Sequence, residues 1–181
     1  MTSKPKILVV VHDIDDHLNE MANPIAEAGI LMDTWDVQND NVGKPDLDKL
    51  GQYSGIISMG AHAGVLEEEK HAWMSHERKI MQWALDTETP LLGLCFGSQL
   101  LASAAGGRVY KAETGEFAWT KVDMLPEAAN DPVLGALGKT ADAFQFHYDS
   151  FELPENATLL GESNGTIEAF RVGSSAWATQ F

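Results

Sequence analysis

The single cysteine of this 181-residue chain, Cys95, is the side chain best suited to covalent chemistry. It lies in the stretch PLLGLCFGSQLLASAAGG, residues 90–107, between Gly93 and Gly97. Small residues on both sides permit a sharp turn that exposes the side chain at its tip. A thiolate at such a tip is placed to attack an electrophilic carbon. The alternative interpretation is a small buried cysteine without a chemical role.

The segments around Cys95 indicate which elements position it. The apolar run at residues 90–94 predicts a buried parallel strand, and residues 99–105 predict a helix that ends at Gly106 and Gly107. Cys95 therefore falls at a strand-to-helix turn. Because the first N–H groups of a helix are unpaired and favour negative charge, we expect the pKa of this thiol to be lowered.

The first half of the chain alternates strand and helix patterns. Continuous apolar runs predict strands at residues 6–11, 30–37 and 55–59, and helical spacing predicts helices at 16–28 and 67–87. The residues expected on the inner faces of these helices are Leu18, Met21, Ile25 and Ala28 in the first, and Trp73, Ile80, Met81, Ala84 and Leu85 in the second. Such a series predicts a parallel sheet with sites beyond the carboxyl ends of its strands.

The second half of the chain contains short β-type segments separated by Gly, Pro, Asn and Asp. They lie at residues 109–112, 117–122, 143–146, 158–160, 167–172 and 176–181. We expect antiparallel strands that complete or flank the main sheet. The predicted fold is α/β with three layers, a mostly parallel sheet, flanking helices and a strand-rich second half, in one domain spanning residues 1–181.

Composition excludes several classes of function. The formal charge of −15 disfavours binding to nucleic acid or to an anionic membrane. A lone cysteine excludes an intrachain disulfide framework, and the sequence begins without a signal-peptide pattern or a run long enough to span a bilayer. The histidine, cysteine and carboxylate spacings indicate no metal site. We expect a cytoplasmic protein.

Four segments in order resemble the class I, triad-type glutamine amidotransferases, especially the glutaminase domain of GMP synthetase and its stand-alone relatives. GLCFGSQLLA, residues 93–102, is similar to the family's nucleophile elbow. GIISMGAH at 55–62 corresponds to a strand leading into a Gly-Gly-Pro oxyanion loop. GEFAW at 115–119 and FHYDSF at 146–151 resemble its R-E-F-G-Y and H-x-D segments. The similarity covers nearly the whole chain and implies the family's flavodoxin-like fold.

The resemblance implies a role for each matched position. Cys95 corresponds to the nucleophile that attacks the side-chain amide of glutamine, and the backbone N–H groups of Ala61 and Phe96 correspond to the oxyanion donors. No cofactor is implied. The positions expected to bind the substrate are Gly60, Gln99, Glu116, Tyr148 and Asp149.

Two departures from the family pattern affect this assignment. The loop reads Gly60-Ala61-His62, so we expect less freedom to adopt positive φ there, with His62 facing solvent or touching the substrate. Glu116 fits either a structural ion pair or a substrate contact. For His147 we expect a structural, hydrogen-bonded role rather than proton transfer.

The family's base is absent from the sequence. In the family, a His-Pro-Glu motif follows a strand ending in Gln-Phe, whereas this sequence ends at Gln180-Phe181. The histidines present are His12, His17, His62, His71, His76 and His147, none at the matching position. We therefore expect either a C-terminally truncated form or a natural relative without the base, and nearly inactive in both cases.

Three functions remain open at this point. The first is a glutaminase that releases ammonia from L-glutamine through a γ-glutamyl thioester on Cys95 and serves a synthetase or another ammonia acceptor. The second is a γ-glutamyl peptide hydrolase that uses the same elbow. The third is a non-catalytic glutamine-binding or regulatory module.

Overall fold

The computed structural model describes residues 4–39 and 42–181. Residues 1–3, part of the amino-terminal stretch considered above, and residues 40–41 lie outside this description. Within these ranges nine strands form one sheet in the spatial order β2-β1-β3-β4-β9-β8-β7-β5-β6. The strands are β1 (Lys6–Val11), β2 (Leu31–Asp36), β3 (Gly55–Ser58), β4 (Leu91–Leu94), β5 (Val109–Met124), β6 (Thr140–Phe151), β7 (Ala157–Ser163), β8 (Thr166–Val172) and β9 (Ala176–Thr179).

The sheet has a parallel half and an antiparallel half. Neighbouring strands from β2 through β1, β3 and β4 to β9 pair in parallel. From β9 through β8, β7 and β5 to β6 they pair antiparallel. The carboxyl ends of β1, β3, β4 and β9 therefore meet at one edge, which is where parallel sheets place their sites.

Helices cover both faces of the parallel half, which gives the three layers that the sequence predicts. The helices are α1 (Ala22–Glu27), α2 (Ala72–Asp86) and α3 (Phe96–Ala104). On one face Leu8 and Val10 pack in a core with side chains of α2 and α3. On the other, Val9 and Val11 pack with Leu18 and Ile25. Among the residues described, no helix has the length and apolar character needed to cross a bilayer.

Two predicted helices are shorter than expected. The segment predicted as a helix at 16–28 contains a 3-10 turn at Asn19–Met21 followed by the six-residue α1. Asn19 has a φ of +46°, which breaks a continuous helix. The second helix begins at Ala72 rather than at residue 67, because Val65–Glu67 forms a separate 3-10 turn.

The strands of the second half are longer than their apolar segments indicate. Residues 109–112 and 117–122 belong to the single strand β5, and its pairing with β6 shifts register between Lys111 and Glu116. Such a bulge bends the strand and changes where its side chains point. It places Glu116 opposite His147 of β6. In contrast, β9 is shorter than predicted and ends at Thr179.

Candidate active site

Cys95 lies at a sharp turn between β4 and α3. Its φ of +49° and ψ of −102° are strained for a residue with a side chain, as in a nucleophile elbow. The turn is tied to its neighbours on both sides. The Cys95 N–H donates to Thr179 O of β9 at 2.9 Å, and the Gly97 N–H donates to Met59 O beyond β3 at 3.1 Å.

The two flanking glycines are required by close backbone contacts. A Cβ at Gly97 would lie 2.4 Å from Ser58 O, and one at Gly93 would lie 2.5 Å from Gly97 O. Both distances are far below van der Waals contact, so the elbow excludes side chains at these positions. The interpretation of this stretch as a turn that presents Cys95 therefore agrees with its geometry.

The pKa of the Cys95 thiol is shifted opposite to our expectation. Burial, and then the carboxylate of Asp16, raise it to about 11. The Phe96 N–H and the Gln180 amide, which is 3.8 Å from Sγ, act in the opposite direction but are weaker. The prediction of a lowered pKa was wrong, because the sequence reveals neither how deeply the thiol is buried nor that the Asp16 carboxylate lies near it.

We expect iodoacetamide to react with Cys95 more slowly at pH 7 than with a model thiol, whose pKa is about 8.5. The pH dependence of the rate should give an apparent pKa near 11. In the variant Asp16→Asn the rate at pH 8 should rise severalfold, because a negative charge near the thiolate is removed. Asp15→Asn is the matched control, since Asp15 lines the same cleft and is not among the groups that shift the thiol pKa. Equal rates for the two variants would contradict this account.

The segment after β3 forms a loop beside the elbow. Neither Gly60 nor Ala61 has a positive φ, so alanine at position 61 is accommodated without strain. At position 60 a Cβ would lie 2.0 Å from Asp16 Oδ2, so a larger residue there would displace the Asp16 side chain. Ala61 and Phe96, whose N–H groups we predict as oxyanion donors, line the same cleft as Cys95.

This cleft has a volume of about 860 Å³ and contains most of the predicted substrate-binding residues. Gln99 is buried, and its amide donates to Asp149 O at 3.3 Å and to Gln180 Oε1 at 3.4 Å. Tyr148 and Asp149 form the opposite wall, with Tyr148 exposed. Gly60 is not among the residues that line the cleft, and a Cβ on it would point at the Asp16 carboxylate. The structure therefore brings Cys95, Ala61, Phe96, Gln99, Tyr148 and Asp149 together.

Glu116, like Gly60, is a predicted substrate-binding residue that does not line this cleft. It lines a separate cavity of about 240 Å³, where Glu116 Oε2 lies 3.1 Å from His147 Nε2. His147 donates from Nδ1 to Asp149 O at 3.1 Å, so Glu116 acts on the cleft wall through His147. Burial and the nearby Glu116 raise the pKa of Glu168, behind this pair, to about 7. A contact between Glu116 and substrate stays a prediction; in the structure the Glu116 carboxylate lies next to His147 instead of in the cleft.

His62 lies on the rim of the cleft. Its side chain is 69% exposed, and its Nε2 is 3.3 Å from Asp15 Oδ1. Its backbone N–H donates to Asp13 Oδ2 at 2.7 Å, which fixes the loop rather than the imidazole. This placement agrees with the solvent-facing interpretation of His62.

Sequence reasoning missed a buried polar chain beneath the oxyanion loop. Ser58 Oγ donates to Glu77 Oε1 at 2.7 Å, and Glu77 Oε2 lies 2.8 Å from His12 Nε2. His12 Nδ1 lies 2.8 Å from Gly60 O. All three side chains are fully buried. The signal was present, because a histidine directly after a buried strand and a glutamate on the inner face of α2 are unusual.

An aromatic row extends from the cleft along the strand pair β5–β6. Phe146 and Tyr148 line the cleft and are 65% and 60% exposed. Phe117 contacts both rings, with centroids 5.3 and 4.8 Å away. The row continues through Phe144 to Trp119. In residues 4–39 and 42–181, no group of histidine, cysteine and carboxylate side chains has the arrangement of a metal site.

The fold and the elbow together define an α/β protein with a cysteine at the position of a nucleophile. The family model described as glutamine amidotransferase class-I matches residues 25–181, and the chain belongs to this family. Its fold is the flavodoxin-like fold that the resemblance implied.

Solved structures and curated relatives agree with this membership. A glutamine amidotransferase from Thermotoga maritima is 28% identical and superimposes with a TM-score of 0.87 over 99% of this chain and 76% of that chain. One from Methylobacillus flagellatus, at 20% identity and a TM-score of 0.86, shares the fold; the match covers 99% of this chain and 70% of that one. The glutamine-hydrolyzing GMP synthase of Vibrio vulnificus is 27% identical over 147 residues, which is 80% of this chain and 25% of that enzyme. The chain thus spans about a quarter of the length of this GMP synthase.

Proposed function

We propose that the chain is a glutaminase in which Cys95 attacks the side-chain amide carbon of L-glutamine. The C–N bond breaks, ammonia leaves with a proton from a general acid, and water then hydrolyses the γ-glutamyl thioester to glutamate. The N–H groups of Phe96 and Ala61 stabilise the oxyanion in both tetrahedral intermediates. The observation that carries this proposal is the positive-φ Cys95, which opens into a cleft together with both donors.

The released ammonia serves a separate acceptor or a synthetase. This part of the proposal is supported by the match to glutamine-hydrolyzing GMP synthase, in which the similar segment is a quarter of the enzyme.

The acid–base group is the part that the described residues do not supply. Within residues 4–39 and 42–181, Gln180 is the one side chain that reaches hydrogen-bonding distance of Cys95 Sγ, and it does not titrate. The family resemblance assigns this role to a histidine that follows the Gln-Phe pair. We propose that residues 1–181 bind glutamine but turn it over slowly.

The substrate assignment is tested by protection of Cys95 from alkylation. L-Glutamine should slow the reaction of iodoacetamide with Cys95, whereas D-glutamine should not, because Gln99 and the backbone around Asp149 form a chiral wall. Calorimetry should show binding of the L-enantiomer only. Equal effects of both enantiomers, or no effect of either, would contradict the glutamine site.

A second candidate function is hydrolysis of γ-glutamyl amides larger than glutamine. It is favoured by the size of the cleft and by the exposed rings of Phe146 and Tyr148 on its wall, which suit an apolar substituent on the amide nitrogen. In the same assay a γ-glutamyl anilide should then protect Cys95 at lower concentration than L-glutamine. Protection by ligand without turnover in any form of the chain would favour the non-catalytic module.

A further inference from the structure

The oxyanion loop is supported from beneath by the buried chain Ser58–Glu77–His12. His12 directly follows β1, Ser58 ends β3, and Glu77 comes from the middle of α2. The His12 ring packs between Trp73 and Phe96, with both centroids 4.9 Å away. Three separate elements and two aromatic rings therefore fix the position of one imidazole.

The hydrogen bonds determine where the protons are. Gly60 O is only an acceptor, so His12 Nδ1 carries a hydrogen and donates it. Ser58 donates to one oxygen of Glu77, and the other oxygen shares a single proton with His12 Nε2. Burial alone would lower the pKa of His12, but the charge and hydrogen bond of Glu77, the Gly60 carbonyl and Asp16 together raise it. In either protonation state of the ring, Nδ1 therefore donates a hydrogen bond to Gly60 O.

This bond fixes the direction of the next N–H group. In a trans peptide the C=O of one residue and the N–H of the following residue point in opposite directions. Because Gly60 O points into the interior toward His12, the Ala61 N–H points away from it, on the side where Ala61 lines the cleft. In the part of the chain that the structure describes, this N–H donates to no protein group.

We propose that His12, held by Glu77 and Ser58, is a positioning residue that orients and polarises the Gly60–Ala61 peptide as half of the oxyanion hole. A hydrogen bond donated to the carbonyl makes the N–H of the same peptide a stronger donor. This inference rests on the proposed glutaminase function, because it matters only if an oxyanion forms at Cys95. His12 touches no substrate and acts only through the peptide.

Two substitutions of His12 by amide residues distinguish the roles of its two ring nitrogens, Nδ1 and Nε2. The side-chain nitrogen of Asn occupies the place of Nδ1 and can donate to Gly60 O, so His12→Asn should retain the function. The amide nitrogen of Gln matches Nε2, so His12→Gln can reach Glu77 but not Gly60 O. Both variants replace a buried ring by a neutral amide, so each is the control for the other. Circular dichroism and thermal melting establish which variants are folded.

The readout compares two alkylating reagents on Cys95. A chloroketone analogue of L-glutamine forms the S–C bond and loses chloride while its carbonyl oxygen lies in the oxyanion hole, whereas iodoacetamide does not use the hole. In His12→Gln the chloroketone rate, divided by the iodoacetamide rate, should fall about 10- to 100-fold, since losing one oxyanion donor costs on the order of 10² to 10³ in rate. In His12→Asn the ratio should stay near that of the wild type. Binding of L-glutamine should be unchanged in both.

The outcomes distinguish this inference from the proposed function. If the wild-type chain reacts equally fast with the L-chloroketone and its D-enantiomer, the proposal that the cleft binds L-glutamine is contradicted. If the wild type is selective, two results overturn the positioning role of His12. One is a folded His12→Gln that keeps the wild-type ratio of chloroketone rate to iodoacetamide rate. The other is a folded His12→Asn that loses this ratio. Should His12→Gln fail to fold, Glu77→Gln and His12→Asn still test the inference. In Glu77→Gln the amide donates to Nε2 and leaves hydrogen on Nδ1, so the ratio must again be retained.

Discussion

Residues 1–181 should release ammonia from L-glutamine about 10² to 10⁴ times more slowly than the same chain extended by His-Pro-Glu and a following helix. The reason is that the thiol of Cys95, with a pKa near 11, lies beside the Asp16 carboxylate and the neutral Gln180 amide. A histidine placed next to it would both remove the thiol proton and protonate the leaving ammonia. Ammonia release by the two forms under identical conditions is the measurement.

The controls for this comparison are Cys95→Ser and a substitution of the added histidine by Asn, both in the extended chain, and both should return the rate to background. If the 181-residue form is as fast as the extended one, His62 or His147 acts as the base. Their contacts argue against this. The His62 backbone N–H donates to Asp13 and its imidazole Nε2 lies 3.3 Å from Asp15 Oδ1, while His147 donates from Nδ1 to Asp149 O and faces Glu116 with Nε2.

The substitution Gly97→Ala should lower the free energy of unfolding by about 3 kcal/mol or more, because overpacking against a backbone that cannot shift is at the severe end of such changes. The added methyl would lie 2.4 Å from Ser58 O and 2.5 Å from Ser58 Oγ. Both atoms belong to the carboxyl end of β3, which holds the oxyanion loop. Urea denaturation followed by circular dichroism gives the value.

Gly51→Ala is the matched control for this substitution. A Cβ at Gly51 meets nothing within 4 Å, and its φ is outside the left-handed region, so the change should be nearly neutral. The elbow geometry would be contradicted if Gly97→Ala were as stable as Gly51→Ala. If the free energy of unfolding falls in Gly97→Ala but not in Gly51→Ala, the loss of stability comes from the close contact of the added methyl with Ser58.

The sequence predicts those parts of the fold and the site that depend on local pattern. Continuous apolar runs located β1, β3 and β4, because strands buried on both faces need apolar side chains at every position. The glycines around Cys95 located the turn, because only glycine fits against the backbone there. The prediction of one helix over residues 16–28 was wrong, because helical spacing of apolar residues does not reveal the positive φ of Asn19.

The features that the sequence did not predict arise from residues far apart along the chain. His12 and Glu77 occupy unusual positions for polar residues in the sequence, but their hydrogen bonds to each other and to Ser58 exist only after β1, β3 and α2 have packed. The predicted direction of the thiol pKa shift was wrong for the same reason, since the burial of Cys95 and the nearby Asp16 carboxylate both arise from the tertiary fold. The contact of Glu116 with His147 could not be located from the sequence either, because the register shift in β5 is set by its pairing with β6.

The position of β9 between β4 and β8 has a consequence for folding during synthesis. The elbow obtains its backbone bond to Thr179 and its contact with Gln180 from residues that the ribosome adds long after Cys95. Until they arrive, the β4 edge lacks its partner in the nascent chain, and the parallel and antiparallel halves of the sheet remain unjoined. Closing this long loop is a slow step, as pairing of strands distant in sequence generally is. The contacts that Thr179 and Gln180 make with Cys95 can therefore form only after β9 has been synthesised and has paired with β4.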